Sequence, residues 1–169
     1  MRSAAAPTPA LAVLLRAGVT HEVLAYTVEG LHPGQGYGGA VAQALGVDPA
    51  RMFKTLIVQD TTGRTGTVVL PVDEHLDLKA AARALGWKRA ALASPELARQ
   101  RTGSAVGGIS PLGHRHPGPV VVDRSVDDLA ELGETLVVSA GQRGLSVRLA
   151  PADLVTLAEA TVASLSAPR

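Results

Sequence analysis

The residues best equipped for chemistry in this sequence are one lysine, a few histidines and three glycine-bearing loops, because cysteine is absent altogether. Without cysteine there is no thiol nucleophile, no disulfide and no thiolate-bound metal. His114-Arg115-His116 and the run Asp73-Glu74-His75-x-Asp77 carry metal-ligand types. Gly113 and Pro117 mark the first as a turn, Asp77 serves better as a helix cap, and no His-Glu-x-x-His is present. No metal or other cofactor is therefore expected. No Gly-x-Ser-x-Gly elbow supports a serine triad, and no Gly-Lys-Ser or Gly-Lys-Thr supports a phosphate-binding loop. The stretch Gly34 to Gly39 reads as a plain flexible loop rather than a dinucleotide fingerprint, since only a short helix follows it.

Three segments are harder to explain as packing. In Phe53-Lys54-Thr55-Leu56 a lysine stands at the mouth of an otherwise apolar strand, where an edge lysine that snorkels to water is the ordinary explanation. In Thr102 to Gly113, dense glycines let backbone approach a ligand and present N–H groups, while Pro111 stiffens the loop. In Ser139-Ala140-Gly141-Gln142-Arg143-Gly144-Leu145 a glycine turn displays Ser139 and Arg143. The last two have plain alternatives, a tight connection and a simple hairpin.

The elements that must hold these segments follow from caps and periodicity. Thr8-Pro9 starts a helix that stops at Gly18, Asp77 caps a helix over Leu78 to Leu85, and Ser94-Pro95 starts another to about Arg101. His21 to Tyr26 reads as a strand, and Ala40 to Leu45 as a short helix. Met52 to Gln59 and Thr65 to Val72 are β-branched runs at hairpin spacing. Val120 to Val122 reads as a buried strand and Val126 to Leu132 as a helix. Thr135 to Ser139 and Leu145 to Leu149 should pair, and a last helix is expected from about Ala152 to Leu165. This pattern predicts an α+β fold: one domain over residues 1–169, with a mixed, mostly antiparallel sheet flanked by helices. With 46% hydrophobic but only 2% aromatic residues, its core must be built from Ala, Val and Leu. Pro7, Pro9 and Arg16 break any leader-like or membrane-length apolar run, so a cytoplasmic location without membrane attachment is expected. The net charge of +1 gives no global field for nucleic acid. Lys79 to Arg101 is the exception, with six cations against Glu96 alone; it is either a solvated helix face or a phosphate-contacting edge.

In order along the chain, Tyr26, Phe53-Lys54-Thr55-Leu56, Leu76-Asp77-Leu78-Lys79, Val106 to Gly113 and Gly141-Gln142-Arg143-Gly144-Leu145 resemble the YbaK/EbsC family of aminoacyl-tRNA deacylases. That family is related to the editing insertion domain of prolyl-tRNA synthetase, and the likeness runs roughly from Thr8 to Leu157. The resemblance implies that Lys54 is the functional residue at the aminoacyl end of the substrate, followed by Thr55, with Tyr26 and Ser139 lining the pocket. It implies that Gly107, Gly108, Ile109, Ser110 and Pro111 hold the aminoacyl carbonyl and ribose through backbone, and that Arg143 and Ser146 belong to the same site. The expected substrate is misacylated tRNA, above all Cys-tRNA(Pro) with tRNA(Cys) as a further carrier, and prolyl-tRNA synthetase is the expected partner. Attack by the substrate's own thiol suits a chain without cysteine; water attack on Ala-tRNA(Pro) and a non-catalytic aminoacyl-binding module are the alternatives. Two positions depart: Ser146 stands where the cysteine-specific branch tends to be acidic, and Ala140 replaces a glycine.

Overall fold

A computed structural model describes residues 6–34 and 36–167, so the Met1 to Ala5 start and Gln35 of the glycine stretch lie outside it. The chain forms α1 (Pro9–Ala17), β1 (His21–Ala25), α2 (Tyr37–Leu45), β2 (Phe53–Gln59), β3 (Thr65–Pro71), α3 (Leu78–Leu85), β4 (Ala91–Leu92), α4 (Pro95–Thr102), β5 (Val120–Asp123), α5 (Ser125–Glu131), β6 (Leu136–Gln142), β7 (Leu145–Leu149), α6 (Pro151–Leu157) and β8 (Thr161–Ala163). The cap signals act as read: Thr8 Oγ1 accepts from the Leu11 N–H, Asp77 from Lys79 and Ala80, and Ser94 from Leu97. Gly18 and Gly86 close their helices in the left-handed conformation. Among the described residues no helix is long and apolar enough to cross a membrane.

The α+β class holds, but the strands divide into two sheets. One is antiparallel, in the order β1-β7-β6; the other is mixed, in the order β4-β2-β3-β5-β8. In the mixed sheet β2 pairs antiparallel with β3 and β4, whereas β3–β5 and β5–β8 are parallel. The mixed sheet is buried on both faces, and neighbouring residues supply opposite cores. Val69 and Val122 join Phe53, Leu14, Leu136 and Leu154 in the core shared with the other sheet. Val68 and Val121 pack with Ala81, Ala82, Trp87 and Leu165 beneath α3. This two-sided burial is why the valine runs look continuous instead of alternating. The sheets are tied together where β2 and β6 begin, by the Met52–Val137 bridge. Next to it, Arg51 donates to the Thr135 carbonyl and hydroxyl, both at 3.0 Å, and pairs with Glu134.

The expected long C-terminal helix is corrected. It ends at Leu157; Glu159 then adopts φ 50°, and residues 161–163 leave as β8, alongside Val121 to Asp123. Helical spacing of Ala and Leu ran on in the sequence, but tertiary pairing of Thr161 and Val162 with β5 overrides it. Beyond β8 the Leu165 side chain is fully buried, its N–H donates to Asp123 Oδ1 at 2.8 Å, and its carbonyl accepts from the Asp77 N–H at 2.7 Å. The Ala167 N–H likewise donates to the His75 carbonyl at 2.9 Å. The tail is thus stitched to residues 75–77. The second correction is α2, which starts at Tyr37 and not Ala40, because Gly36 supplies a left-handed N-cap.

Candidate active site

Beside the seam that joins the two sheets lies a partly open cavity of about 340 Å³, at the lower end of the size expected for a small-molecule site. The start of β2 supplies Lys54 and Thr55, the loop after α4 supplies Gly107 and Ile109, and Ser139 and Ser146 come from β6 and β7. Tyr26 and Tyr37 close another side. Ser139 and Ser146 are direct cross-strand partners, so their side chains stand together on one face of the antiparallel sheet. Alternation sends Ala140 to the other face, where it is fully buried in the shared core. The exchange of glycine for alanine there is accommodated by packing and leaves the pocket lining alone.

Lys54 is half-buried and donates from Nζ to the Glu74 carbonyl at 2.6 Å. Burial lowers its pKa from the ordinary lysine value, while the Asp73 and Glu74 carboxylates pull the other way. It is therefore a held cation at the pocket wall and not an edge lysine extended into water. The Tyr26 and Tyr37 hydroxyls lie 3.4 Å apart. Burial and that contact push the Tyr26 phenol up to about 12, which keeps it a neutral donor. Two hydroxyls of the lining, Thr55 Oγ1 and Ser146 Oγ, are buried without a hydrogen-bond partner. Ser139 Oγ, in contrast, accepts from the Gly141 N–H at 3.2 Å. Among the described residues no Cys, His, Asp or Glu lines the cavity.

The remaining site candidates do different work. Arg143 does not line the cavity. It donates to the Leu31 carbonyl at 3.0 Å and lies over the Tyr37 ring at 5.9 Å, clamping the 31–38 segment against the pocket. Gly108 faces the backbone of the β6–β7 turn: a Cβ there would stand 2.6 Å from the Arg143 nitrogen and 2.9 Å from the Gln142 carbonyl carbon. Ser110 is buried, with Oγ accepting from the Leu112 N–H at 3.2 Å, and neither it nor Pro111 reaches the cavity. Behind them His114 Nε2 lies 2.5 Å from the Ser110 carbonyl. A carbonyl only accepts, so Nε2 carries the proton and donates. Burial lowers the His114 pKa, opposed by that hydrogen bond. His114 thereby braces the loop. Among the described residues no three His, Asp or Glu side chains gather as a metal site.

Sequence reasoning missed Pro33, Gly34, Tyr37 and Gly38, which form a wall of the cavity. The segment taken as a plain loop is part of the site. Its available signal was a tyrosine among glycines, an aromatic residue in a chain that has very few.

Comparison with known proteins places this architecture in a class. A solved structure described as a candidate trans-editing enzyme for prolyl tRNA synthetase superposes with a TM-score of 0.78 and 27% identity, over 98% of this chain and 100% of that one. Residues 34–157 match the family model of the aminoacyl-tRNA editing domain, and the chain belongs to that family. Its enzyme class is aminoacyl-tRNA deacylase, an ester hydrolase. EbsC of Enterococcus faecalis (strain ATCC 700802 / V583), described as a candidate Cys-tRNA(Pro)/Cys-tRNA(Cys) deacylase, is 34% identical over 130 residues, 75% of each protein. YwhH of Bacillus subtilis (strain 168) is 27% identical over 113 residues, 67% of this chain and 69% of that protein.

Proposed function

We propose that this protein deacylates Cys-tRNA(Pro) in trans, with Cys-tRNA(Cys) as a second substrate, and that prolyl-tRNA synthetase is its partner. The observation that carries the reading is a small, partly open cavity with a held lysine on its wall and, among the described residues, no thiol, imidazole or carboxylate in its lining to activate a hydroxyl or a water. Such a site performs chemistry that the substrate itself can start. An aminoacyl ester is already activated, and cysteine brings its own nucleophile. The substrate sulfur attacks the ester carbonyl, the carbon–oxygen bond to the ribose breaks, and the ribose hydroxyl leaves with the thiol proton. The amino acid departs as a cyclic thiolactone. Lys54 neutralises charge that develops on the carbonyl oxygen or holds the ribose end, and the N–H groups of Gly107 and Ile109 present the loop backbone to the same group. Tyr26, Thr55, Ser139 and Ser146 surround the aminoacyl group; Gly108, Ser110, Pro111 and Arg143 keep the loop and the 31–38 wall in place.

The need for such a protein is physical. A synthetase pocket rejects a ligand of similar or smaller size by only ~10–200-fold per methylene, so cysteine and alanine both enter a proline site. Ser146 favours a second reading, because a neutral hydroxyl replaces the acid of the cysteine-specific branch: water attack on Ala-tRNA(Pro). A deacylation panel separates the two, with tRNA(Pro) and tRNA(Cys) carrying Cys, Ala, Ser or Pro. Fastest release from Cys-tRNA(Pro), with thiolactone among the products, is expected. Lys54→Ala should lower the rate about 10²–10³-fold, the scale of one lost transition-state donor. Near wild-type turnover by a folded Lys54→Ala protein would sink the assignment.

A further inference from the structure

We infer that a basic face centred on Trp87 is the docking surface for the phosphate backbone of the tRNA acceptor arm. The inference rests on the deacylase reading for the identity of the polyanion and adds where its body lies. Two concave clefts, of about 510 and 590 Å³, share Trp87 as a common wall. Lys79, Arg83, Lys88 and Arg89 line the first; Arg64, Arg101 and His116 line the second, and among the described residues no carboxylate lines either. All seven of these side chains are exposed. Separate parts of the sequence build the face. The β2–β3 turn brings Arg64 over the Trp87 ring at 5.7 Å, and backbone pairing of the His116 N–H with the Arg101 carbonyl at 2.8 Å brings those two residues together.

Clustering distinguishes this surface, since Arg16, Arg115, Arg124 and Arg143 also lack a carboxylate partner among the described residues but stand apart from these two clefts. Elsewhere Arg51 and Arg148 are matched to Glu134 and Glu22. On this face Arg64 pairs with Asp60, but Lys79, Arg83, Lys88, Arg89 and Arg101 have no carboxylate partner among the described residues. Five unmatched cations gathered around two clefts create a local positive field that an external polyanion would complement. The position suits an RNA attached to the ester better than an acidic protein. Lys54 is the second residue of β2 and the second cleft lies at the turn beyond Gln59, so about 17 Å of strand separates the pocket from that cleft at ~3.4 Å per residue. The single-stranded end of tRNA spans that gap and leaves its duplex on the cations. Arg99, in the same charge-rich segment, lines neither cleft and is not part of the surface.

The test uses Lys88→Gln/Arg101→Gln, one change in each cleft, and Arg16→Gln, an exposed cation at the end of α1, as control. Binding of uncharged tRNA is measured against salt concentration, so the result stands whether or not hydrolysis is seen. Each lost phosphate contact makes the slope of log K against log salt shallower by ~0.9. The double variant should therefore lose about 1.8 in slope and at least about tenfold in low-salt affinity, with the control at wild-type values. Hydrolysis of a cysteinyl-adenosine ester, which reaches only the pocket, should be unchanged. A wild-type slope in the double variant overturns the surface, as does an equal loss in Arg16→Gln. So does loss of binding to an acidic synthetase surface with tRNA binding intact. If the wild-type protein hydrolyses neither substrate, the deacylase reading fails, and the slope still decides the surface.

Discussion

Lys54 is held at its site by one hydrogen bond to a backbone carbonyl, and a half-buried cation in that position titrates early. Its pKa lies below the ordinary lysine value because burial disfavours the ammonium, so the charge needed at the ester is lost as pH rises through that lowered value. Deacylation by the wild-type protein, corrected for spontaneous ester hydrolysis, should thus show an alkaline limb below the usual lysine range. Lys54→Arg, permanently charged, should lack that limb in whatever activity it retains; an identical limb in both proteins would mean that another group titrates. The partnerless hydroxyls of Thr55 and Ser146 make a second prediction. A buried hydroxyl without a partner costs about 1–3 kcal/mol, and replacing it by an apolar group of similar shape removes the cost. Thr55→Val and Ser146→Ala should raise the denaturation midpoint of the free protein while lowering kcat/KM for the preferred aminoacyl-tRNA. Destabilised variants with unchanged kcat/KM would show that these hydroxyls serve the fold and not the ligand.

At the scale of elements, the glycine–proline loop works by fitting closely against its neighbours. Gly108 has no room for a Cβ against the Gln142–Arg143 backbone, and neither strand end of that turn is free to retreat. Gly108→Ala should cost more than about 2 kcal/mol, in the range of overpacked sites, and should displace Arg143 from Leu31 and so open the 31–38 wall. Chemical denaturation together with the fluorescence of a bound aminoacyl-adenosine analogue would register both effects; a stable variant with full affinity would refute the packing role. The elements themselves were largely legible, since Thr8-Pro9, Asp77 and Ser94-Pro95 carry their own capping chemistry. Lys54 and the loop through Gly107 were legible only by likeness, as neither spacing nor charge distinguishes a held lysine from an edge one. The wall at Tyr37, the short β4 and the strand β8 were not legible. Their conformations depend on partners distant in sequence: Arg143 on Tyr37, β2 beside β4, and β5 beside β8.

For the whole molecule, two sheets sharing one core place the cavity at their seam, while the β2–β3 turn, α3, α4 and the loops beside them carry the proposed basic face. In the proposed reading the ester lies at one end of the β2–β3 hairpin and the second cleft at the other, and regular pairing from Phe53–Pro71 to Gln59–Thr65 keeps their separation fixed. Both sites depend on the tail as well. Residues 165–167 are sewn to residues 75–77, directly after Glu74, whose carbonyl receives Lys54. Residues 165–167 are in this sense a retaining pin for the lysine, so a version cut before Leu165 should lose these hydrogen bonds and loosen the segment whose carbonyl receives Lys54. An inactive preparation of that kind would report on the missing pin and not on the pocket.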